Sequence, residues 1–240
     1  MKHIFSKTIM VVATTGILII TGCDNTKKMS KQDKGVAVGS TSGAVIGGII
    51  GNNVGKKSNT ALGAIIGAVV GGVAGGVIGN KMDRQAEVIK SEIPGAEVTR
   101  VGEGINVTFS EKNPDGSKAG VYFDSEMFNI NSNSKLALDK LTKIFNDYPE
   151  TNILIEGHTD NAGASAYNET LSKNRANAVG SYLKAEGIAS PRLTIKWYGE
   201  LQPKIDNSST ANMAENRRVE FAITANDKMK EAAAKEAANN

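Results

Sequence analysis

The chain has a single cysteine, Cys23, in 240 residues, so no intrachain disulfide can hold it together. Its two histidines are His3 and His158, and only His158 lies outside the extreme N-terminus. One imidazole and no second thiol exclude a histidine-based triad and an ordinary zinc site. His158 is expected to be a strand-end residue packed against a neighbour. Excess charge is also missing: the formal net charge is +3, and Lys2 and Lys7 lie in a segment expected to be removed, which leaves about +1. That balance gives no electrostatic case for nucleic acid. The apolar run over residues 8–20 is too short to span a bilayer as a helix. A charged fraction of 22% is nonetheless ordinary, and it places the chain among folded proteins.

Against these absences stand two charged residues in unusual company. Asp160 closes the run that begins at Ile153, and Arg175 lies on the apolar stripe of the helix that follows, four residues from both Leu171 and Val179. A guanidinium rarely faces inward without an anionic partner. Either the two form an ion pair between helix and sheet, or they sit side by side in a pocket. In the second case the carboxylate takes an ammonium and the guanidinium a carboxylate, through paired hydrogen bonds. Glu156 and Asp160 also suggest the paired carboxylates of glycan hydrolysis, but their even spacing is that of any two residues on one strand face. The chain is read as a binding protein and not as an enzyme.

The motifs from Gly157 to Gly163, from Tyr167 to Ser172, and at Arg175, Ala176 and Val179 closely resemble those of the OmpA-like peptidoglycan-binding domain. Gly187 with Ile188, Arg192 with Leu193, Tyr198 to Glu200 with Pro203, and Asn216 to Glu220 agree with it. The resemblance covers residues 95–225 and implies non-covalent binding of the peptide stem of peptidoglycan. In that family the acid at the strand end and the arginine of the helix hold the diaminopimelate side chain, which carries an ammonium and a carboxylate on one carbon; by motif these are Asp160 and Arg175. Further contacts implied are Leu171, Arg218, and Asn129 and Ile130 from the loop over residues 124–131. No cofactor and no metal are implied. One departure is plain: Asn212 and Met213 stand where the family commonly has glycine and a basic residue, and the spacing is about one residue short.

The N-terminus reads as an export signal over residues 1–22, with basic Lys2 and Lys7, the apolar run, and small residues before Cys23. This end resembles the lipobox of bacterial lipoproteins, which implies cleavage before Cys23 and a lipid-modified Cys23 holding the chain in a membrane. Residues 23–34 form a linker.

Glycine then recurs every fourth residue, at Gly35, Gly39, Gly43, Gly47, Gly51 and Gly55, and again at Gly63, Gly67, Gly71, Gly75 and Gly79. Each glycine in a helix interior costs about 0.5 to 1 kcal/mol against alanine, so this spacing needs close packing or lipid to compensate. Spaced by four, they give each helix one smooth face for close backbone approach. The segment resembles the glycine-zipper region ahead of OmpA-like domains in some lipoproteins. A hairpin over residues 35–80 is expected, inserted in the membrane or self-associating. Residues 61–79 carry no charge and extend about 28 Å as a helix, against a hydrocarbon thickness of about 30 Å.

Beyond it, a short polar helix is predicted over residues 81–93. Strands are predicted at 97–101, 105–109 and 120–123, a turn at 113–116 and a helix over 132–147 that buries Leu138, Leu141, Ile144 and Phe145. Next come a strand over 152–157 buried on both faces and the signature helix ending at Gly187. The last two strands turn Leu193, Ile195 and Trp197, then Val219, Phe221 and Ile223, inward on either side of a polar loop over 201–215. Arg217 and Arg218 alternate across their strand, one toward the interior and one toward solvent. The fold class is α+β, an OmpA-like βαβαββ domain with helices on one face of a mixed sheet, behind a glycine-zipper helical hairpin. Residues 226–240 read as a solvated, fraying helix with no apolar stripe.

The expectation is a lipid-anchored envelope protein of the outer membrane, its domain in the periplasm, that grips the cell wall. The alternative makes the glycine ladder the principal device, oligomeric or membrane-inserting, with the wall-binding domain as its anchor.

Overall fold

The computed structural model describes residues 70–112 and 120–239. The export signal, Cys23, the first glycine ladder, Gly63 and Gly67 of the second, and the turn at 113–116 lie outside the described residues.

Among the described residues eleven elements follow one another: α1 (Gly72–Glu92), β1 (Glu97–Val101), β2 (Gly104–Ser110), α2 (Ser132–Asp147), β3 (Thr151–His158), α3 (Ser165–Ala185), a 3-10 turn (Ser190–Arg192), β4 (Leu193–Gly199), α4 (Thr210–Asn216), β5 (Arg218–Ala225) and α5 (Asp227–Ala238). The strands form one sheet in the order β1-β2-β5-β3-β4. Among the described residues only β3 and β4 run parallel, and the crossover that parallel neighbours require is α3. Every other pairing is antiparallel.

The register explains where the core lies. Val98, Val107, Phe221, Ile155 and Ile195 form one row across all five strands. Strand residues alternate faces, so this row and its neighbours Ile105, Phe109, Ile153, Val219 and Ile223 share the side that the helices cover. Phe109 meets the Phe221 ring edge-on at 5.8 Å, and Phe145 of α2 lies 6.4 Å away from it. On the opposite face the row reads Thr108, Glu220, Glu156 and Lys196, and the polar segment after β4 lies against it. Buried Asn216 holds that segment by accepting from the Lys204 and Ile205 amides at 2.8 and 3.1 Å.

Part of the polar loop expected over 201–215 is helical, as α4, and three further elements differ from expectation. Residues 120–123 form no strand: the amide of Tyr122 donates to Ser134 Oγ, and its carbonyl accepts from Ser134 Oγ and Asn131 Nδ2, so side chains at the start of α2 satisfy groups that a ladder would have paired. The helix expected over 81–93 begins instead at Gly72 and includes Gly75 and Gly79 of the second ladder. Its face of Ile78, Met82, Gln85, Ala86 and Ile89 is buried in the domain. Gly75 makes room there: the Glu103 carboxylate, at the tip of the β1–β2 hairpin, accepts from the Val70 and Gly71 amides, and a Cβ on Gly75 would lie 2.2 Å from its Oε1. An acid at a helix N-terminus satisfies amides that have no partner within the helix. The third difference is the tail, which docks as α5 against α1, with Met229 and Ala233 in the core. Among the described residues no helix is long and apolar enough to cross a membrane.

Candidate functional site

β3 ends at His158, and Asp160 follows it at the rim of the sheet, almost wholly buried. Asp160 Oδ1 accepts from the Ala162 amide at 3.0 Å, a local turn that fixes the carboxylate, while its Oδ2 accepts from Arg217 Nη1. Asn168 of α3 ties the same loop down by donating to the Ala162 carbonyl at 3.0 Å. α3 approaches closely because Gly157 has no side chain, and Ser172 Oγ accepts from the Gly199 amide at 2.9 Å.

One turn along α3 from buried Leu171, Arg175 points into the same region and is 5% exposed. Its Nε donates to the Met127 carbonyl at 2.9 Å and Nη2 to the Asp124 carbonyl at 3.3 Å, with the guanidinium 5.3 Å from the Phe123 ring centroid. Burial is the main reason that its pKa falls below the ordinary arginine value; nearby Glu111, Tyr167 and Asp160 oppose the fall, and Arg217 adds to it. The group stays charged at neutral pH, since arginine starts so far above it. Asp160 and Arg175 therefore lie near enough to feel each other's charge, each with its own hydrogen-bond partners, instead of making the direct ion pair that the sequence left open.

Arg217 completes the arrangement. It precedes β5 and shares the parity of Val219 and Phe221, which carries it to the cleft side. Its Nε donates to Glu111, at the end of β2, and its Nη1 to Asp160. Burial disfavours its charge, but the hydrogen bonds to Glu111 and Asp160 outweigh that and raise its pKa above the ordinary value. Glu111, Phe123, Arg175 and Arg217 line a cavity of about 10 Å³.

Arg218 borders this cavity, yet its guanidinium is spoken for on the other face: Nε bonds Glu220 at 2.5 Å and Nη2 the Gln202 carbonyl at 3.0 Å. Of the two arginines Arg217 is therefore the one that reaches Asp160. Strand parity was the signal for it, because Val219, Phe221 and Ile223 already marked the core side. Asn129 is exposed on the loop that Arg175 grips, and Ile130 is partly buried against the core. Met127 and Phe128, on the same loop, are large apolar residues left exposed.

His158 lies on the face away from the cleft, stacked on Tyr198 with ring centroids 5.5 Å apart. Its Nε2 is 3.9 Å from Glu156 Oε2, and Arg218 is the cation near it. Burial first, and Arg218 second, push its pKa well below the usual 6.5. In the unfolded chain His158 takes up its proton near pH 6.5, while in the folded chain it does so only at lower pH, so stability is complete above about pH 6.5 and falls as the pH drops below it. The expected loss approaches about 1.4 kcal/mol per pH unit in that window. Urea denaturation at pH 7.5 and 5.5 should show it in the native chain, with a smaller loss in His158→Phe; equal losses would assign the acid lability to other groups.

Comparisons with known proteins bear on the family and the fold. The OmpA family matches residues 122–217, and the YMGG-like Gly-zipper family matches residues 1–83. Outer membrane porin F of Pseudomonas fluorescens is 40% identical over 105 residues, 44% of this chain, and the chain spans only 32% of its length. A peptidoglycan-associated lipoprotein of Pasteurella multocida is 34% identical over 102 residues, covering 42% of this chain and 68% of that one. Among solved structures, a putative MotB-like protein from Desulfovibrio vulgaris superposes with a TM-score of 0.51 at 29% identity, over 62% of this chain and 89% of its own. The chain belongs to the OmpA family and carries a Pal-type OmpA-like domain behind a YMGG-like glycine zipper.

Proposed function

We propose that this protein is a lipid-anchored tether of the bacterial envelope, joining the outer membrane to peptidoglycan from the periplasmic side by non-covalent binding and making or breaking no bond. The observation that carries the reading is a buried guanidinium, Arg175, lining a cleft whose other arginine, Arg217, is bonded to the buried carboxylate of Asp160, in an OmpA-like domain. Diaminopimelate in the stem peptide presents an ammonium and a carboxylate on one carbon. Asp160 takes the ammonium through a charge-assisted hydrogen bond, and Arg175 takes the carboxylate through its planar fork of donors. Leu171, Asn129 and Ile130 border the bound stem, and Cys23 carries the lipid at the far end of the chain. Support comes from the similarity to a protein named peptidoglycan-associated lipoprotein and from the motif positions of the two charges.

Sedimentation with purified sacculi tests the reading. The native chain should pellet with them. Removing one partner of a buried charge pair costs about 2 to 5 kcal/mol, so Asp160→Ala and Arg175→Ala should each bind at least about 30-fold more weakly. Arg175→Lys, which keeps the charge and loses the fork, should fall between. Binding retained in both alanine variants would remove the assignment.

A further inference from the structure

We propose that Arg217 is a built-in plug of the cleft, seated on Asp160, which a ligand must displace toward Glu111 before it binds. The inference rests on the reading of Asp160 and Arg175 as the ligand-binding pair and adds how access to them is controlled.

Both oxygens of Asp160 are engaged, Oδ1 by the Ala162 amide and Oδ2 by Arg217 Nη1. The first bond belongs to the chain's own turn and positions the carboxylate. The second occupies the oxygen that an incoming ammonium needs. The cavity that Arg217 lines together with Arg175, about 10 Å³, has room for about one water molecule and none for an amino-acid head group. Arg175 is closed in the same way, its Nε and Nη2 held by the carbonyls of Met127 and Asp124. Binding is therefore an exchange of partners.

Arg217 is suited to that exchange because it already has a second seat. Its Nε is bonded to Glu111, so rotation away from Asp160 leaves the guanidinium paired, and a quarter of its side chain already meets solvent. The exchange also selects the ligand. Around the closed cleft the charges balance: Arg217 meets Glu111 and Asp160, Arg218 meets Glu220, and Arg175 is the guanidinium held by backbone carbonyls. A zwitterionic head group adds one charge of each sign and keeps that balance. A plain amine drives Arg217 off Asp160 with nothing for Arg175 to hold, and a plain carboxylate leaves the plug in place. Arg217 is thus a specificity-determining residue whose contact with Asp160 is autoinhibitory.

Calorimetric titration of the full chain with meso-diaminopimelate tests this, with cadaverine as the amine lacking carboxylates. Apparent affinity falls by the fraction of molecules in the open form, so Arg217→Met, which keeps an apolar stem and deletes the plug, should bind roughly tenfold more tightly. Arg217→Gln should shift in the same direction, which guards against a methionine-specific packing defect. Glu111→Gln, which removes the second seat, should bind more weakly than the native chain. Cadaverine should gain more from Arg217→Met than diaminopimelate does. If the native chain binds and Arg217→Met and Arg217→Gln bind equally or more weakly, Arg217 is a ligand contact or a bystander and the plug is overturned. If neither the native chain nor the variants bind, the diaminopimelate reading itself fails and the plug with it.

Discussion

A fragment of residues 95–225 is expected to melt roughly 10 to 20 °C below a fragment of residues 70–239. The shorter piece holds every motif of the OmpA-like domain, but it lacks α1 and α5. Ile78, Met82, Ile89 and Ile93 are at most 1% exposed, and Met229 and Ala233 of α5 lie in the same core. Burying one large aliphatic side chain is worth about 1.5 to 3 kcal/mol, and a domain of this size is stable by only about 5 to 15 kcal/mol. Ordering two helices offsets part of that gain, so a net loss of about 5 kcal/mol is a fair expectation, or roughly 10 to 20 °C in Tm. The cut also bares the faces of β1, β2 and α2 on which α1 rests, an apolar patch that favours aggregation. Thermal unfolding followed by circular dichroism decides it. A fragment 95–225 that melts cooperatively within a few degrees of 70–239 would show α1 and α5 to be accessories. α1 is part of the domain's core, and the Glu103 carboxylate holds the amides at its N-terminus.

Those two helices are also where the sequence was hardest to read. The helix over 132–147 was legible because its apolar residues recur at helical spacing, Asn131 caps it by accepting from the Ser134 amide, and Pro149 follows its end. β3 was legible as a run buried on both faces, and Gly187, at φ +97, ends α3 where a left-handed residue is needed. In α1 the glycines that suggested a zipper hide a second use. Gly75 clears space for Glu103, and Arg100, bonded to Asp83 at 2.8 Å, lies over the Gly79 carbonyl, contacts that join residues more than fifteen positions apart. In α5 the buried face is little more than one methionine and one alanine, which pack into the core beside α1. No stripe is needed for so shallow a contact. Residues 120–123, with a β-branched residue and two aromatics, are suited to a strand, and only Ser134 and Asn131 show why none forms. At the site, charge and helical spacing singled out Asp160 and Arg175, but their partners depend on how the end of β2, the loop after residue 123 and the start of β5 converge. Sequence spacing carries no record of that convergence.

The convergence hinges on Gly157, and Gly157→Ala is expected to abolish wall binding and to destabilise the domain together. Gly157 lies on the core side of β3, directly beneath α3. A Cβ there would come within 2.3 Å of the Ser172 carbonyl oxygen and 3.2 Å of Ala176 Cβ. Carbon and carbonyl oxygen ordinarily approach no closer than about 3.3 Å, so the helix must retreat by about 1 Å. The blocking atom is backbone, and no side-chain rotation relieves it. Overpacking of this kind costs about 1 to 3 kcal/mol, and contact with a rigid helix puts it at the upper end, for a Tm lower by roughly 6 to 12 °C. Arg175 rides on the displaced helix, whereas Asp160 stays with the strand. A shift of about 1 Å between two groups that must grip one head group costs on the order of 100-fold, as it does for catalytic groups that must meet in register. Gly187→Ala is the control. It strains a residue at φ +97 with nothing within 4 Å of the added carbon, far along α3 from the cleft, so it should lower stability by about 1 kcal/mol and leave binding unchanged. Thermal unfolding and sacculus sedimentation of both variants separate the effects. If Gly157→Ala binds as Gly187→Ala does, the spacing of β3 and α3 does not set the grip; if only Gly157→Ala loses binding while it remains folded at the assay temperature, the distance between the acid on the strand and the base on the helix is what the glycine maintains.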